Sequence, residues 1–468
     1  MEDQRKVNCF YELAKNAVTG KGTLTLSKRP GVTIYATSIG TTGQTAYLSQ
    51  WTSIGNIVFN KSGSDSRCSS DITASNRTIL TDASYFPSFS DLTAVSNVQN
   101  VVVQLTTVVT TTQRVFFATA FDAVNANAWT EITDPQFPIP VGKMEFMDGF
   151  AFALSSDNLI WNSDSNSLAN WTGTSFLAKQ VMQDLPVGLA RLSNKLIAFG
   201  HESVECFYNA GNTVGSPLGR IPQLHTKVGL VITGNAGVTS GSHYYCTIKE
   251  AIYFVGRVGH GNNCGLYVFD GQNFIKLSSA YIDKILVEKS SGGIYSVNAV
   301  GVNGQTMVGI GFTAAGTSPQ RFLIYSPEWK EWFEWTSDIF APVNSGKYFL
   351  GLGSNGHRVY SFESSDIWQD NAVSYPWSTQ FKLPTNGSSL KRMAMYGVDA
   401  DTDTSASTIS VEFSDNDCQS FYSAQPIDLT WDRKVNFRGG AYTKRHIRLS
   451  ATDARPKRIH NFIANVID

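Results

Sequence analysis

The chain has 468 residues, too many for one ordinary compact core, so several domains or a repeat architecture are needed. Hydrophobic residues make up 42%, enough for a large core, which excludes wholesale disorder. Only 16% of residues are charged and the formal net charge is -1, so the molecule as a whole has no electrostatic pull towards nucleic acid or membrane.

Ser, Thr, Asn and 39 Gly fill the place of the missing charges, and aromatics reach 12%. Turn formers, β-branched residues and aromatics in that mixture are what many short strands need, so the expected class is all-β. No segment approaches the ~20 apolar residues that span a bilayer, so no membrane insertion is expected. The first sixteen residues are polar and lack the apolar region of a secretory leader, which points to synthesis and assembly in a cytosol. Cys9, Cys68, Cys206, Cys246, Cys264 and Cys418 lie far apart, with no C-x-x-C pair, and read as free thiols rather than a disulfide framework or metal site. Cys246 and Cys264 are the one pair that adjacent strands would bring together. No cofactor is expected.

In chain order, short β-rich runs end in an aromatic and are followed by a polar turn. They fall at 56–59 (Asn-Ile-Val-Phe), 114–117 (Arg-Val-Phe-Phe), 158–161 (Asn-Leu-Ile-Trp), 204–208 (Val-Glu-Cys-Phe-Tyr), 265–269 (Gly-Leu-Tyr-Val-Phe), 321–325 (Arg-Phe-Leu-Ile-Tyr) and 358–362 (Arg-Val-Tyr-Ser-Phe). Upstream partners stand at 149–154, 194–199, 251–255 and 306–311. Aromatic-bearing stretches follow at 273–277 and 331–335, after turns at Asp270-Gly271 and Ser326-Pro327. The unit recurs at intervals of about 35 to 59 residues, on the scale of known propeller repeats, ~40–50. One four-stranded blade cannot bury both faces alone, and radial stacking buries them while leaving short edges. A pair of β-sandwiches would also supply many strands, but the persistence of the interval favours a β-propeller of about seven blades, six to eight, within 30–375.

From about residue 376 the character changes. Pro376, Pro384 and the Asn-Gly-Ser-Ser at 386–389 read as a linker. Strands are expected at 393–396, 407–413, 444–449 and 458–467. The expected division is 1–375, a propeller body including the N-terminal strand segment, and 376–468, a small C-terminal β-domain. That domain carries Arg433, Lys434, Arg438, Lys444, Arg445, Arg448, Arg455, Lys457 and Arg458, against Asp453 alone, over 433–458. A run this dense is either a solvated face or a contact surface for phosphate or acidic protein. In so charge-poor a chain the contact reading is favoured, with an acidic protein ring as partner because aromatic interleaving for base stacking is missing. Arg433, Lys434, Arg438, Lys444, Arg445 and Arg448 are the candidate contacts.

No nucleophile elbow, H-E-x-x-H or P-loop is present, so no catalytic residue is assigned. The Gly-rich 256–261 departs from G-x-G-x-x-G and falls between strands, so it reads as a blade loop. The enzymatic rival is a glycan-binding or sialidase-like propeller. Its nearest signature is Ser-Asp-Ser-Asn-Ser-Leu-Ala-Asn-Trp at 163–171, which lacks the Asp-box glycine and has no second copy. Trp329, Trp332 and Trp335 read as blade-packing or interface residues rather than a sugar platform.

Three segments carry a likeness. Arg-Lys-Val-Asn-Cys at 5–9, followed by Leu-Ser-Lys-Arg-Pro-Gly at 26–31, fits the pattern R-x-x-N-C … R-P-G. The stretch 192–229 fits G-x-x-S-x-E-x-x-x-N-x-G … P … R … G through Ser203, Glu205, Asn209, Gly211, Pro217, Arg220 and Gly229. The segment 410–421 is set against Y-S-x-D-G-G-x-x-W, with Asn and Asp in place of the acid-glycine pairing and Phe in place of Trp. Together they resemble the tail nozzle, or packaged-DNA stabilisation, family of short-tailed bacteriophages. The resemblance implies a non-enzymatic virion tail protein and gives Ser203, Glu205, Asn209, Gly211 and Arg220 structural roles. It implies a homo-oligomeric ring, a hexamer, below a portal adaptor ring. Tail fibre or spike proteins would flank it, and double-stranded DNA would pass through it without specific contact.

Overall fold

The computed structural model describes residues 5–15, 22–36, 47–48, 57–62, 65–70, 78–81, 98–106, 113–121, 130–138, 140–141, 144–231, 245–259, 263–290, 294–312, 320–337, 340–342, 348–351, 359–361, 368–383, 390–401, 407–430 and 435–467. The chain opens with β1 (Lys6–Val7), β2 (Cys9–Lys15), β3 (Gly22–Lys28) and β4 (Thr33–Ala36). Blade 1 is β5 (Tyr47–Leu48), β6 (Ile57–Ser62), β7 (Asp65–Ser70) and β8 (Thr78–Thr81), and blade 2 is β9 (Val98–Thr106), β10 (Gln113–Phe121) and β11 (Thr130–Glu131). Blade 3 is β12 (Glu145–Met147), β13 (Phe150–Leu154), β14 (Leu159–Ser163) and β15 (Trp171–Ala178). Blade 4 is β16 (Pro186–Leu192), β17 (Lys195–Gly200), β18 (Val204–Asn209) and β19 (Leu218–Thr226). In blade 5, β20 (Val228–Leu230) and β21 (Tyr245–Ile248) both pair with β22 (Ala251–Val258), followed by β23 (Cys264–Phe269) and β24 (Phe274–Lys276).

Helix α1 (Ala280–Ser290) leads into blade 6, formed by β25 (Ile294–Val302), β26 (Gln305–Phe312), β27 (Gln320–Ser326) and β28 (Glu331–Ser337). Blade 7 is β29 (Phe340–Pro342), β30 (Tyr348–Gly351) and β31 (Val359–Ser361), completed by β4 from the other end of the chain, with Ser361 opposite Thr33. The last strands are β32 (Trp377–Lys382), β33 (Lys391–Ala400), β34 (Thr408–Ser414), β35 (Tyr422–Ser423), β36 (Ile427–Asp428), β37 (Val435–Tyr442), β38 (His446–Ala451) and β39 (Arg458–Ile467).

The fold is an all-β propeller with a small C-terminal β-domain, and the described residues contain seven blade-sized sheets, within the six to eight expected. Each aromatic-ended run of the sequence falls in a different sheet. In blades 3 to 7 it is the third strand, and its upstream partner is the second. The terminal aromatic has a specific use. Trp161 stands opposite Phe176, Phe269 opposite Phe274 and Tyr325 opposite Trp332, with ring centroids 4.9, 4.5 and 5.0 Å apart. Such cross-strand aromatic pairs fasten the outermost strand of blades 3, 5 and 6.

The cores lie between blades. One joins Phe152, Leu154 and Ile160 of blade 3 to Leu189, Leu196 and Phe207 of blade 4. The next joins Phe199 and Val204 to Ile252, Phe254 and Phe269 of blade 5. A third joins blade 5 to Val297, Val308, Ile310 and Leu323 of blade 6, under Ile282, Ile285 and Leu286 of α1. Inner strands follow one another accordingly: β16 lies against β12 and β13, β20 against β17, and β25 against β21.

Four features differ from the sequence reading. The expected linker from Pro376 holds β32, whose Trp377 and Thr379 point inward and are buried. Pro376 marks the start of a strand there, not an unstructured joint, and Pro384 with 386–389 lies outside the described residues. Helix α1 was not expected. Its Ile282, Ile285 and Leu286 follow helical spacing, but within a single short segment of an otherwise β-patterned chain. The N-terminal strand segment, grouped above with the propeller body, pairs with C-terminal strands. One sheet runs β2-β3-β39-β33-β37, and another places β1 between β28 and β32, continuing to β38 and β34. These sheets share one core with blade 6, containing Cys9, Phe10, Phe322, Trp335, Trp377, Met393, Tyr396, Phe413, Ile447 and Ile459. Cys246 and Cys264 sit on β21 and β23, on either side of β22, so they are not on adjacent strands. Among the described residues no helix is long and apolar enough to cross a membrane.

If inter-blade cores carry the stability, Phe269→Ala, at a fully buried position, lowers the unfolding free energy by about 3–5 kcal/mol. Phe176→Ala, on an outer strand and 38% exposed, costs about 1 kcal/mol. Chemical denaturation of the two variants checks the ranking.

Candidate functional site

In the central motif, polar residues meet in a sealed network between blades 3, 4 and 5. Ser203 precedes β18, and its amide and hydroxyl donate to Asp184 Oδ2 and Oδ1 at 2.9 and 3.0 Å. The Lys179 ammonium donates to Ser203 Oγ at 2.6 Å and pairs with Asp184. Glu202 N–H closes on Asp184 Oδ2 at 2.6 Å. Glu205, fully buried, accepts the amides of Val181 and Gln180 at 2.7 and 3.2 Å, and Arg220 Nε stands 3.2 Å from it. Arg220 also donates to Ala178 O at 2.8 Å. Asn209 donates to Asp148 of blade 3 at 3.0 Å and accepts from Gly211 N–H at 2.9 Å, with Gly211 at φ +71°.

Gly229 of β20 lies so close to this turn that a Cβ there would sit 2.0 Å from the His201 carbonyl carbon. Arg257 of blade 5 donates to His201 Nδ1 at 2.5 Å, and burial together with that guanidinium holds His201 below its usual range. A lysine beside a serine is chemistry that some hydrolases use, but here both groups are buried and their partners are structural. The motif therefore clamps the connector between blades 3 and 4 to the neighbouring turn. Sequence reading named Ser203, Glu205 and Arg220 but missed Lys179 and Asp184. A lysine and an aspartate in a connector carry no local sign of burial.

The N-terminal motif forms a second node. Asn8, at φ +53° and fully buried, donates through Nδ2 to Thr336 Oγ1 at 2.9 Å and Pro376 O at 2.6 Å. Its Oδ1 accepts from Thr336 N–H at 2.8 Å and Arg29 Nε at 3.1 Å. The buried Arg29 guanidinium makes a two-pronged pair with Asp370 at 2.8 and 2.5 Å, reaches Thr336 O at 3.0 Å and lies 3.8 Å from the Tyr375 ring centroid. Burial opposes this charge, but Asp370 and Tyr375 outweigh it and hold the group above its ordinary value. Gly31 is required because any Cβ would sit 2.1 Å from Gln369 O. Beside the node, Lys28 donates to Trp368 O at 3.2 Å and Asp453 O at 2.7 Å. Burial pulls its pKa down to about 8.

Four cations of the C-terminal basic run, Lys444, Arg445, Arg448 and Lys457, are paired within the domain. Arg445, 1% exposed, forms a two-pronged pair with Asp415 at 2.8 and 2.7 Å, donates to Gly439 O and to Tyr422 Oη at 2.7 Å, and lies between Phe413 and Tyr442. Arg448 pairs with Glu412 at 2.6 Å over the Phe421 ring, and Lys444 pairs with Asp417 at the surface. Lys457 is buried against Asp453 and Ser407. The reading of Arg445 as a contact residue is corrected, because acids from residues 412–417 face these cations across β34 and β38. Arg438 lies on β37, while Arg433 and Lys434 fall outside the described residues.

In the third motif the two glycines of the pattern fall on Asp417 and Cys418, both left-handed at φ 56° and 65°. The turn keeps the glycine conformation without the glycines, tied by Ser414 Oγ, which accepts from Cys418 N–H at 3.0 Å. Burial pushes the Cys206 thiol up to about 12, and Cys9 and Cys246 higher still, so these are inert core thiols. No group of side chains among the described residues is arranged to hold a metal ion.

Sheet order and inter-blade cores together define a β-propeller protein. Residues 85–305, which span β9 to the start of β26 and contain the central motif, match the family described as Phage_stabilise: Bacteriophage P22 Gp10, beta-propeller. Over that segment, just under half of the chain, it is similar to the phage packaged-DNA stabilisation family, a family of phage structural proteins. Among solved structures it is similar to BamB from Moraxella catarrhalis, at 9% identity over 72% of this chain and 99% of that one, with a TM-score of 0.35. It is also similar to the N-terminal domain of Nup159, at 14% identity over 76% and 98%, with a TM-score of 0.32. No curated protein matches the chain in sequence.

Three outcomes test the energetics. Asp184→Ala leaves the buried Lys179 charge unmatched and lowers stability by about 3–5 kcal/mol, much of which the added Lys179→Met recovers in a double-mutant cycle. Cys418→Gly relieves a left-handed non-glycine residue and raises stability by about 0.5–1 kcal/mol, whereas Cys418→Val lowers it. The unfolded chain keeps the Lys28 proton to about pH 10.5 while the folded one releases it near 8. Between those values the unfolded state binds more protons, so Lys28 destabilises fully below pH 8 and progressively less above it. The stability of the wild type relative to Lys28→Met therefore rises by about 2 kcal/mol from pH 8 to 10, read by denaturation at each pH.

Proposed function

We propose that this chain is a virion tail component, assembled in the host cytoplasm, that forms a ring below the portal adaptor, continues the DNA channel and retains packaged DNA until ejection. The observation that carries the reading is the family match over 85–305. Two physical features support it. A buried ion pair in the connector between blades 3 and 4 and another inside the C-terminal domain suit a rigid conduit, and a net charge of -1 suits a channel that lets a polyanion pass without gripping it. A ring closes through heterologous contacts repeated by rotation, and a hexamer is the stoichiometry proposed. Tail fibres or spikes would meet its sides.

Arg445 is not part of the proposed adaptor contact, since its donors are occupied within the domain. Lys444, on the exposed side of the same strand turn, and the propeller loops take its place.

Native mass spectrometry of the full-length protein, alone and mixed with an adaptor ring, tests the proposal. A closed hexamer, or one formed only on the adaptor, is the expected result. A monomer that ignores the adaptor overturns it.

A further inference from the structure

Residues 5–15 and 22–31 belong to two bodies at once. By strand pairing they are part of the C-terminal domain: β3 pairs with β39, and Lys6 and Val7 of β1 stand opposite Thr379 and Ser378 of β32. By side-chain and backbone contact they are seated on blade 6. Val7 pairs in parallel with Glu334, and Asn8 N–H donates to Glu334 O at 2.7 Å. The Glu334 carboxylate receives Arg5 at 2.9 and 3.1 Å together with Arg321. Lys6 pairs with Glu331 at 2.9 Å, and Trp335 Nε1 donates to Cys9 O at 2.9 Å. Further along β2, Gln305 Nε2 donates to Tyr11 O at 2.8 Å, Asn303 donates to Glu12 at 2.5 Å, and the Tyr11 ring meets Phe333 edge-on at 5.5 Å. The segment then turns at the Asn8–Arg29–Asp370 node and continues directly into β4, which completes blade 7.

We propose that residues 5–15 and 22–31 form a strap that holds the C-terminal domain on the propeller, and that its seat on blade 6 sets the stability of that domain. The C-terminal sheets are not self-sufficient on this view. The strap provides one whole strand pair of one sheet and the joint by which the other continues into blade 6. Loosening the seat therefore loosens strands more than 350 residues away in sequence, such as the pairing of Leu26 with Ile459, while blades 3 and 4, which the strap does not touch, keep their own clamp. This inference is independent of the virion reading.

Hydrogen–deuterium exchange on the full-length protein tests it. In Asn8→Ala, amides of β33, β38 and β39 are expected to exchange about tenfold faster than in the wild type, with β16, β17 and β18 unchanged. Thr336→Val, which removes one acceptor on the blade side alone, is the milder variant should Asn8→Ala fail to fold. It is expected to give the same pattern at about twofold to fivefold. Unchanged exchange in β33 and β39, or an equal rise in β17 and β18, overturns the proposal.

Discussion

Arg29 carries a full charge where water is excluded, and its neighbours come from every part of the molecule that has to meet there. Asp370 lies on the stretch that leaves blade 7, Thr336 ends blade 6, Tyr375 precedes β32, and Asn8 separates β1 from β2. Desolvating a guanidinium costs several kcal/mol unless its partners are complete and well aligned. The node is therefore satisfied only when ring closure by β4 and docking of the C-terminal domain have both occurred. The two events are tied together by covalent adjacency, since Arg29 and Thr33 are four residues apart.

The blades were legible in the sequence because their code is local. A third strand such as 265–269 ends in an aromatic whose partner, Phe274, is only five residues on, so strand, turn and strand can be read in one window. What joins the blades was less legible. Ser203 and Glu205 stood out in the motif, but the residues that face them, Lys179, Asp184 and the amides of 180 and 181, lie about 20 residues away, across a strand pair. The strap was not legible at all. Nothing in Cys9–Lys15 or Gly22–Lys28 says that β3 pairs with a strand beginning at residue 458. The prolines flanking β32 were read as a linker because proline marks both strand ends and loops, and only the burial of Trp377 separates the two cases.

The basic run shows the same limit from the side of charge. Along the chain, 433–458 has a single acid, and a surplus of cations invites an external partner. In the fold, β34 lies antiparallel to β38, so Glu412 stands opposite Arg448, and the turn after β34 delivers Asp415 to Arg445 and Asp417 to Lys444. Antiparallel pairing turned a one-sided stretch into neighbouring opposite charges, and the aromatic rings of Phe413, Tyr442 and Phe421 cover what remains of the guanidinium faces.

That arrangement bears on what the surface can do. A side chain such as Arg445, whose donors are all directed inward, attracts a distant phosphate only through a field that Asp415 at 2.7 Å largely cancels. Arg445 and Lys457 are buried inside the C-terminal domain, whereas Lys444 and Arg448 keep part of their surface open. Three joints oppose deformation of the body: the clamp in the connector between blades 3 and 4, a core shared by blade 6 and the C-terminal sheets, and a node that ties the exit of blade 7 to the C-terminal domain at one point. Each sets groups distant in sequence against one another with buried, matched polar contacts, so that yielding at any one of them would leave a charge or an apolar face without its partner.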